Sequence, residues 1–298
     1  MRNDELFSLA LDDFKESWAT QTIAAKVQSS DYDRGFGERI CRLMFEKCER
    51  DLDQYRAALR DFIALSEEFL RLQFELDRTG RYLYATFEEA RRAVYDNPEV
   101  MDGRYLNGLF LSEAFWVNHT RIHGYFIAQF AERTRPSGSV LEVPSGTGIF
   151  ITEFMRLNPA WAATAIDLSA SAVRFTRAMV RLNGGCPVAV REQDVFDLPH
   201  EPYDRIICGE LLEHLEFPER LLETLRRLLA TDGKIFLTTA IWAASPDHIY
   251  LFKSTREVRE MLGRFFAIES DLALNVRDAQ APDQERTPIN YACVLVHR

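Results

Sequence analysis

The apolar residues of this chain follow two different rhythms. Over 1–136 they recur at helical spacing, with no alternation of short strands and turns. Phe7, Leu11, Phe14, Trp18 and Ala25 form one stripe; Ile40, Met44, Cys48, Leu52, Tyr55, Leu59 and Phe62 form another. The segment "DYDRGFGER", starting at Asp31, separates them. Between positions 38 and 79 there is neither Gly nor Pro. One helix of that span would be about 60 Å long, too long for a compact lobe, so a break is expected near 64–67. Asn97-Pro98 and Asp102-Gly103 mark further turns, and a last helix is expected over about 105–133. Arg135-Pro136-Ser137-Gly138 then reads as a linker.

From 137 onward, short apolar runs alternate with amphipathic stretches. Val140, Leu141 and Val143 form the first run, and further strands are expected at 164–167, 188–190, 203–208, 234–240, 267–276 and 291–297. Helices are expected at 149–157, 169–182, 218–230 and 255–265, with Ser169 as an N-cap and Asn183-Gly184-Gly185 as a stop. Alternating strands and helices predict an α/β fold: a Rossmann-like, seven-stranded, mainly parallel sheet with helices on both faces. The expected division is an all-helical N-terminal lobe, 1–136, and a sheet domain, 137–298.

The first strand runs into "LEVPSGTGIF" (Leu141 to Phe150), a strand-to-helix turn with Gly146 and Gly148. Such loops often hold phosphate, but two details oppose that here. The third glycine of a dinucleotide fingerprint is replaced by Ile151, and no Gly-Lys-Ser/Thr follows. Glu142 at the strand end would repel a pyrophosphate and favour a cation. The pattern therefore suits a nucleoside-like ligand with a positive end, and S-adenosylmethionine fits that description. Asp167 ends the second strand nineteen residues beyond Gly148, where a carboxylate can accept ribose hydroxyls.

These features together resemble the class I S-adenosylmethionine-dependent methyltransferases. The likeness runs from about Ser139 to the C-terminus. It rests on Leu141-Glu142-x-x-x-Gly146-x-Gly148, Ile166-Asp167, Asp194-Val195 and "YDRIICGELLEHLEFPERLLETLRRLLATDGKIFLTTA". One departure is Pro144, where the family usually has glycine. The resemblance implies that Glu142 binds the methionine ammonium and that Gly146 and Gly148 let backbone lie against the ligand. It implies that Asp167 takes the ribose hydroxyls, with Leu168 against the adenine. Asp194 would accept from the adenine amino group, beside Val195, and Glu210 would sit at the mouth of the site.

Acids outnumber bases by 46 to 36, a net charge of −10, which disfavours a polyanionic partner such as nucleic acid. No signal-peptide core or long apolar run is present, so no membrane association and a cytoplasmic location are expected. The five cysteines are scattered and odd in number, which suits a reducing compartment better than a disulfide framework. The helical lobe is expected to cap the open end of the cleft and shape a pocket for a small-molecule acceptor, with homodimer contacts as a compatible role.

A sulfonium methyl is already electrophilic, so the protein must align an acceptor, exclude water and take a proton where there is one. His214, in Glu213-His214-Leu215, either acts as that base or holds its loop. Asp247, His248 and Tyr250, in "SPDHIYLF", either bind or deprotonate the acceptor or form a structural turn. His119 and His123 are four residues apart on one helix face. They are read as buried, hydrogen-bonded residues lining the acceptor pocket and not as metal ligands, since Thr120 replaces the zincin glutamate. The expectation is methyl transfer to a small molecule, oxygen or nitrogen favoured over carbon, in secondary metabolism. A cofactor-binding scaffold or non-methylating enzyme of the same fold is the alternative, and a metal-assisted C-methyltransferase or an RNA methyltransferase stands behind both.

Overall fold

The structure, a computed structural model, describes residues 1–277 and 286–298. Its seven strands are β1 Ser139–Glu142, β2 Ala162–Asp167, β3 Val188–Glu192, β4 Tyr203–Cys208, β5 Leu229–Ile241, β6 Ala267–Asn275 and β7 Ile289–Val296. They form one sheet in the order β3-β2-β1-β4-β5-β7-β6. The pairs β1–β2, β1–β4, β2–β3 and β4–β5 are parallel, and β7 runs antiparallel to β5 and β6. The expected Rossmann-like sheet is therefore present. The strand order reverses between β1 and β4, and ligands bind at the strand ends beside such a reversal.

The lobe contains α1 Asn3–Asp13, α2 Ile23–Lys26, α3 Arg34–Lys47, α4 Leu52–Thr79, α5 Phe87–Ala90, α6 Leu106–Phe115 and α7 Val117–Phe126. The sheet carries α8 Ile149–Leu157, α9 Ala170–Leu182, α10 Pro218–Leu228 and α11 Thr255–Gly263. The break expected near 64–67 is not there: α4 is continuous over 28 residues. The chain turns earlier, at Glu49 and Arg50, which take left-handed φ of 55° and 61° before Asp51 caps α4 through Gln54 N. Non-glycine residues seldom adopt that region, so nothing in the local composition marks the turn. The first stripe is also shorter than expected. α1 ends at Asp13, Phe7 and Phe14 are buried, and Trp18 is 55% exposed beyond the helix. The last lobe helix is interrupted at Trp116, which is extended between α6 and α7.

Lobe and sheet share one core. Ile149, Ala172, Phe175 and Met179 of the sheet domain lie in the same apolar cluster as Ile40, Tyr55, Phe62 and Phe115. A buried ion pair crosses the same boundary. Arg39 of α3 donates to both oxygens of Glu153 on α8, at 2.5 and 2.8 Å, and His123 Nε2 lies 3.3 Å from Glu153 Oε2. His123 also stacks on Phe36, with ring centroids 3.6 Å apart. The far end of α4 clasps the sheet too. Gln73 and Asp77 bond to Trp242 and Ala244, and Arg277 pairs with Asp77.

Candidate functional site

The carboxyl ends of the strands open into a cavity of ≈ 1770 Å³ roofed by the lobe. Ligand sites for one drug-sized molecule occupy about 300–1,000 Å³, so this one has room for two. On one side, Glu142, Gly146, Asp167, Leu168, Asp194, Val195 and Glu210 line the wall.

Glu142 is 2% exposed at the end of β1. Its Oε1 accepts from Ile151 N in the first turn of α8, at 3.2 Å, while its Oε2 is buried without a partner. Burial raises its pKa well above the usual carboxylate range, and nearby Asp167 adds to that. An unpaired buried carboxylate oxygen is costly, and a cationic group would satisfy it. Asp167 accepts from Gly146 N and Ser169 N, both at 2.8 Å. Burial pushes its pKa up to about 6 against those backbone donors. Gly146 has φ +48°, and a Cβ there would meet nothing within 4 Å, so its face is open to the cavity. Leu168 is 51% exposed, large for an apolar residue at a strand end. Asp194 accepts from Phe196 N at 2.9 Å, so it caps a short turn as well as lining the wall.

Gly148 is different. It lies outside the cavity lining, and a Cβ there would stand 2.8 Å from Thr176 Cγ2 of α9. Its φ of +72° and this close approach explain the glycine; contact with a ligand does not.

The other side of the cavity is built by both halves of the chain. His214 and His248 are 6% exposed and cross edge to face, with centroids 4.8 Å apart. His248 Nδ1 lies 2.8 Å from the Ala243 carbonyl. Burial, with His214 next to it, lowers the His248 pKa to about 3, so this imidazole is neutral and donates from Nδ1. His214 Nδ1 lies 2.9 Å from Tyr95 Oη and 3.1 Å from the Asp247 carbonyl. The Tyr95 hydroxyl proton goes to Asp247 Oδ2, so His214 Nδ1 is the donor to both acceptors, and in the neutral ring the lone pair lies on Nε2. Asp247 is 1% exposed; Tyr105 also donates to its Oδ2, and Ser245 to its Oδ1 at 2.5 Å. Burial alone would raise the Asp247 pKa, but His214, His248 and these hydroxyls together hold it below the usual range. Asp247 thus orders the cluster from beneath.

His119 lines the cavity beside Glu113, its Nδ1 3.1 Å from Ser112 Oγ. Burial brings the His119 pKa down to about 4 and sends that of Glu113 up to about 8. Two expected acceptor-side residues are displaced. His123 faces Glu153 and Phe36 at the lobe boundary, outside the cavity lining. Tyr250 also lies outside it, with its ring 4.8 Å from Phe252. Sequence reasoning missed Tyr95, Tyr105 and Glu113. Tyr95 and Tyr105 come from the lobe, more than 100 residues before the loops they meet, and Glu113 lies beside His119; no local motif marks any of them.

A parallel sheet with this reversal, an acid at the ends of β1 and β2, and no phosphate-type loop defines an S-adenosylmethionine-dependent methyltransferase of the Rossmann-like class. Residues 119–275 match the family model described as "Methyltransferase domain", more than half of the chain, and the chain belongs to that family. The ubiquinone biosynthesis O-methyltransferase of Xanthomonas axonopodis pv. citri (strain 306) is 36% identical over 111 residues, 36% of this chain and 45% of that relative. The chain thus matches less than half the length of that curated relative. Among solved structures, the pyocyanin biosynthetic protein PhzM shares the fold at TM-score 0.55 and 18% identity, over 80% of this chain and 72% of that one. Coclaurine N-methyltransferase, bound to N-methylheliamine and SAH, does so at TM-score 0.54 and 14% identity, over 93% and 98%. S-adenosylmethionine is the cofactor of this class of enzyme, and SAH is bound in the coclaurine N-methyltransferase structure. The residues present fit it: the unpartnered Glu142 oxygen suits an ammonium, and the Asp167 carboxylate suits a ribose diol. No helix among the described residues is long and apolar enough to cross a membrane.

Proposed function

We propose that this enzyme methylates an oxygen or nitrogen of a small molecule, in secondary metabolism, with the lobe and the loops after β4 and β5 forming the acceptor pocket. The observation that carries this is the His214 arrangement. Its ring is oriented through Nδ1 by Tyr95 and Asp247, and the side chain lines a cavity next to the cofactor wall. The names of the curated relative, an O-methyltransferase, and of the second structural neighbour, an N-methyltransferase, support oxygen or nitrogen. The net charge of −10 speaks against RNA.

S-adenosylmethionine supplies an electrophilic methyl when bound. The chain's own residues do the rest. Glu142, Asp167 and Asp194 hold and orient the donor. The lobe closes the cavity against water, which sharpens positioning. His214, with Nδ1–H already committed, offers Nε2 to an acceptor hydroxyl or ammonium and takes its proton. His248 is too weak a base for that role, so it borders the acceptor instead.

Incubation with methyl-labelled S-adenosylmethionine and fractionated small-molecule extracts tests the reading. Label in a low-molecular-weight product on oxygen or nitrogen supports it. Label only on RNA, or none despite tight SAH binding, would overturn it, the latter in favour of a non-methylating enzyme or scaffold.

A further inference from the structure

Glu213, His214 and His248 are all buried, and one ligand atom from each lies within 4.8 Å of the others. The main chain orients both imidazoles in the same way. His214 Nδ1–H points to the Asp247 carbonyl and His248 Nδ1–H to the Ala243 carbonyl, so Nε2 of each ring is the nitrogen left for a further ligand. Histidines that bind metal are usually held like this, with the second nitrogen tied to a carbonyl or carboxylate. Glu213 is oriented too: Thr239 Oγ1 donates to its Oε2 at 2.6 Å and Ala240 N to its Oε1 at 3.1 Å.

The charges around Glu213 are unusual. It is 0% exposed, yet the ionisable groups against it are the Glu210 carboxyl and imidazole. A buried carboxyl needs a positive partner or must stay protonated. A cation in this cluster would be that partner.

We propose that Glu213, His214 and His248 bind a divalent transition-metal ion with coordination positions open to the cavity. Two imidazole nitrogens and one carboxylate suit zinc, iron(II) or cobalt(II). Bonds of about 2.0–2.2 Å place ligand atoms roughly 3.0–3.6 Å apart. His248 Nε2 and Glu213 Oε1 are 4.0 Å apart and all three ligand atoms lie within 4.8 Å, so the side chains must draw in around the ion. His214 and His248 line the cavity, and so does Glu210, whose φ of +46° follows directly on β4. The ion therefore faces the acceptor. This goes beyond the methyl-transfer reading. It favours an acceptor that chelates through two neighbouring oxygens, or an oxygen and a nitrogen. A hydroxyl held there loses its proton more readily, with His214 acting as ligand in the loaded protein and as proton acceptor in the ion-free one.

The test uses the tag-free full chain after chelator treatment, titrated with Co²⁺ and read by visible absorption and calorimetry. One ion per chain, displaced by Zn²⁺, is expected. His248→Ala and Glu213→Gln should each weaken it at least about 10-fold, with circular dichroism confirming the fold. His200→Ala, at an exposed position, should leave it unchanged. A native chain without a saturable Co²⁺ site, or a site that survives both substitutions, overturns the proposal. Should the variants unfold, ¹⁵N-histidine spectra of the native chain decide: Zn²⁺ must shift two imidazole Nε2 resonances, and its failure to do so overturns the site. SAH affinity, measured on the same samples, reports on the methyl-transfer reading separately.

Discussion

Replacing Asp167 with alanine isolates the ribose contact. In the native chain its two oxygens receive backbone N–H groups from Gly146 and Ser169, each at 2.8 Å, and keep lone pairs for a ligand. Removing the carboxylate deletes a charge-assisted hydrogen bond to the cofactor, worth about 1.5–3 kcal/mol, or roughly 10- to 150-fold in Kd. Two backbone donors are also left unpaired, so the glycine loop loosens and the larger figure is expected. Asp167→Asn should fall between, because its amide oxygen replaces only one acceptor. The pH dependence has a definite sign. The folded pKa of about 6 lies above the unfolded value, so holding the charge costs stability above that pH. SAH affinity should fall as pH drops through about 6, and this fall should vanish in the alanine variant. Calorimetry with SAH from pH 5 to about 8 measures both effects. Native affinity in a folded Asp167→Ala chain would refute the reasoning.

His214→Ala should lower turnover about 10²- to 10⁴-fold with SAH affinity unchanged, read by steady-state kinetics on the acceptor found by methyl labelling. Gly148→Ala should destabilise the fold by about 1–3 kcal/mol, seen as a lower Tm, because the new Cβ meets Thr176 in a left-handed backbone. Arg39→Ala should destabilise the fold by less than the about 3–5 kcal/mol of a broken buried pair, because Arg156 still donates to Glu153 Oε2 at 3.1 Å and His123 stays beside it. Although burial raises the Glu153 pKa, His123 and Arg39 bring it to about 2, so this stability is present at neutral pH and is lost as pH falls towards 2 in denaturant melts. Hydrogen exchange over 17–31, several of whose residues line the cavity, should slow when SAH is added; equal protection would mean a fixed arm.

The sheet half was the more legible in sequence, for a physical reason. A parallel strand buried on both faces is a short apolar run, and its functional acid comes directly after it, as with Ile166-Asp167. Local order and function coincide there. The lobe obeys other rules. Its turn at Glu49 and Arg50 runs against the conformational preference of both residues, so composition could not reveal it. Gly148 carried a correct glycine signal with the wrong cause, because Thr176 lies on a helix nearly thirty residues on. His119 and His123 share a spacing, yet one reaches the cavity and the other the Glu153 pair, since α7 lies between the two. Tyr95 and Tyr105 reach Asp247 only through the tertiary fold.

On the proposed reading, the cavity wall is divided between two stretches of chain with separate duties. Glu142, Asp167 and Asp194 belong to the strand ends, while Phe69, Glu113 and Trp116 belong to the lobe, ahead of the stretch that the family model matches. Substitutions in the lobe can therefore reshape what is methylated without touching the donor's hold. Selection, or a directed-evolution library confined to α4 and α6, has a free hand over substrate range at fixed cofactor chemistry.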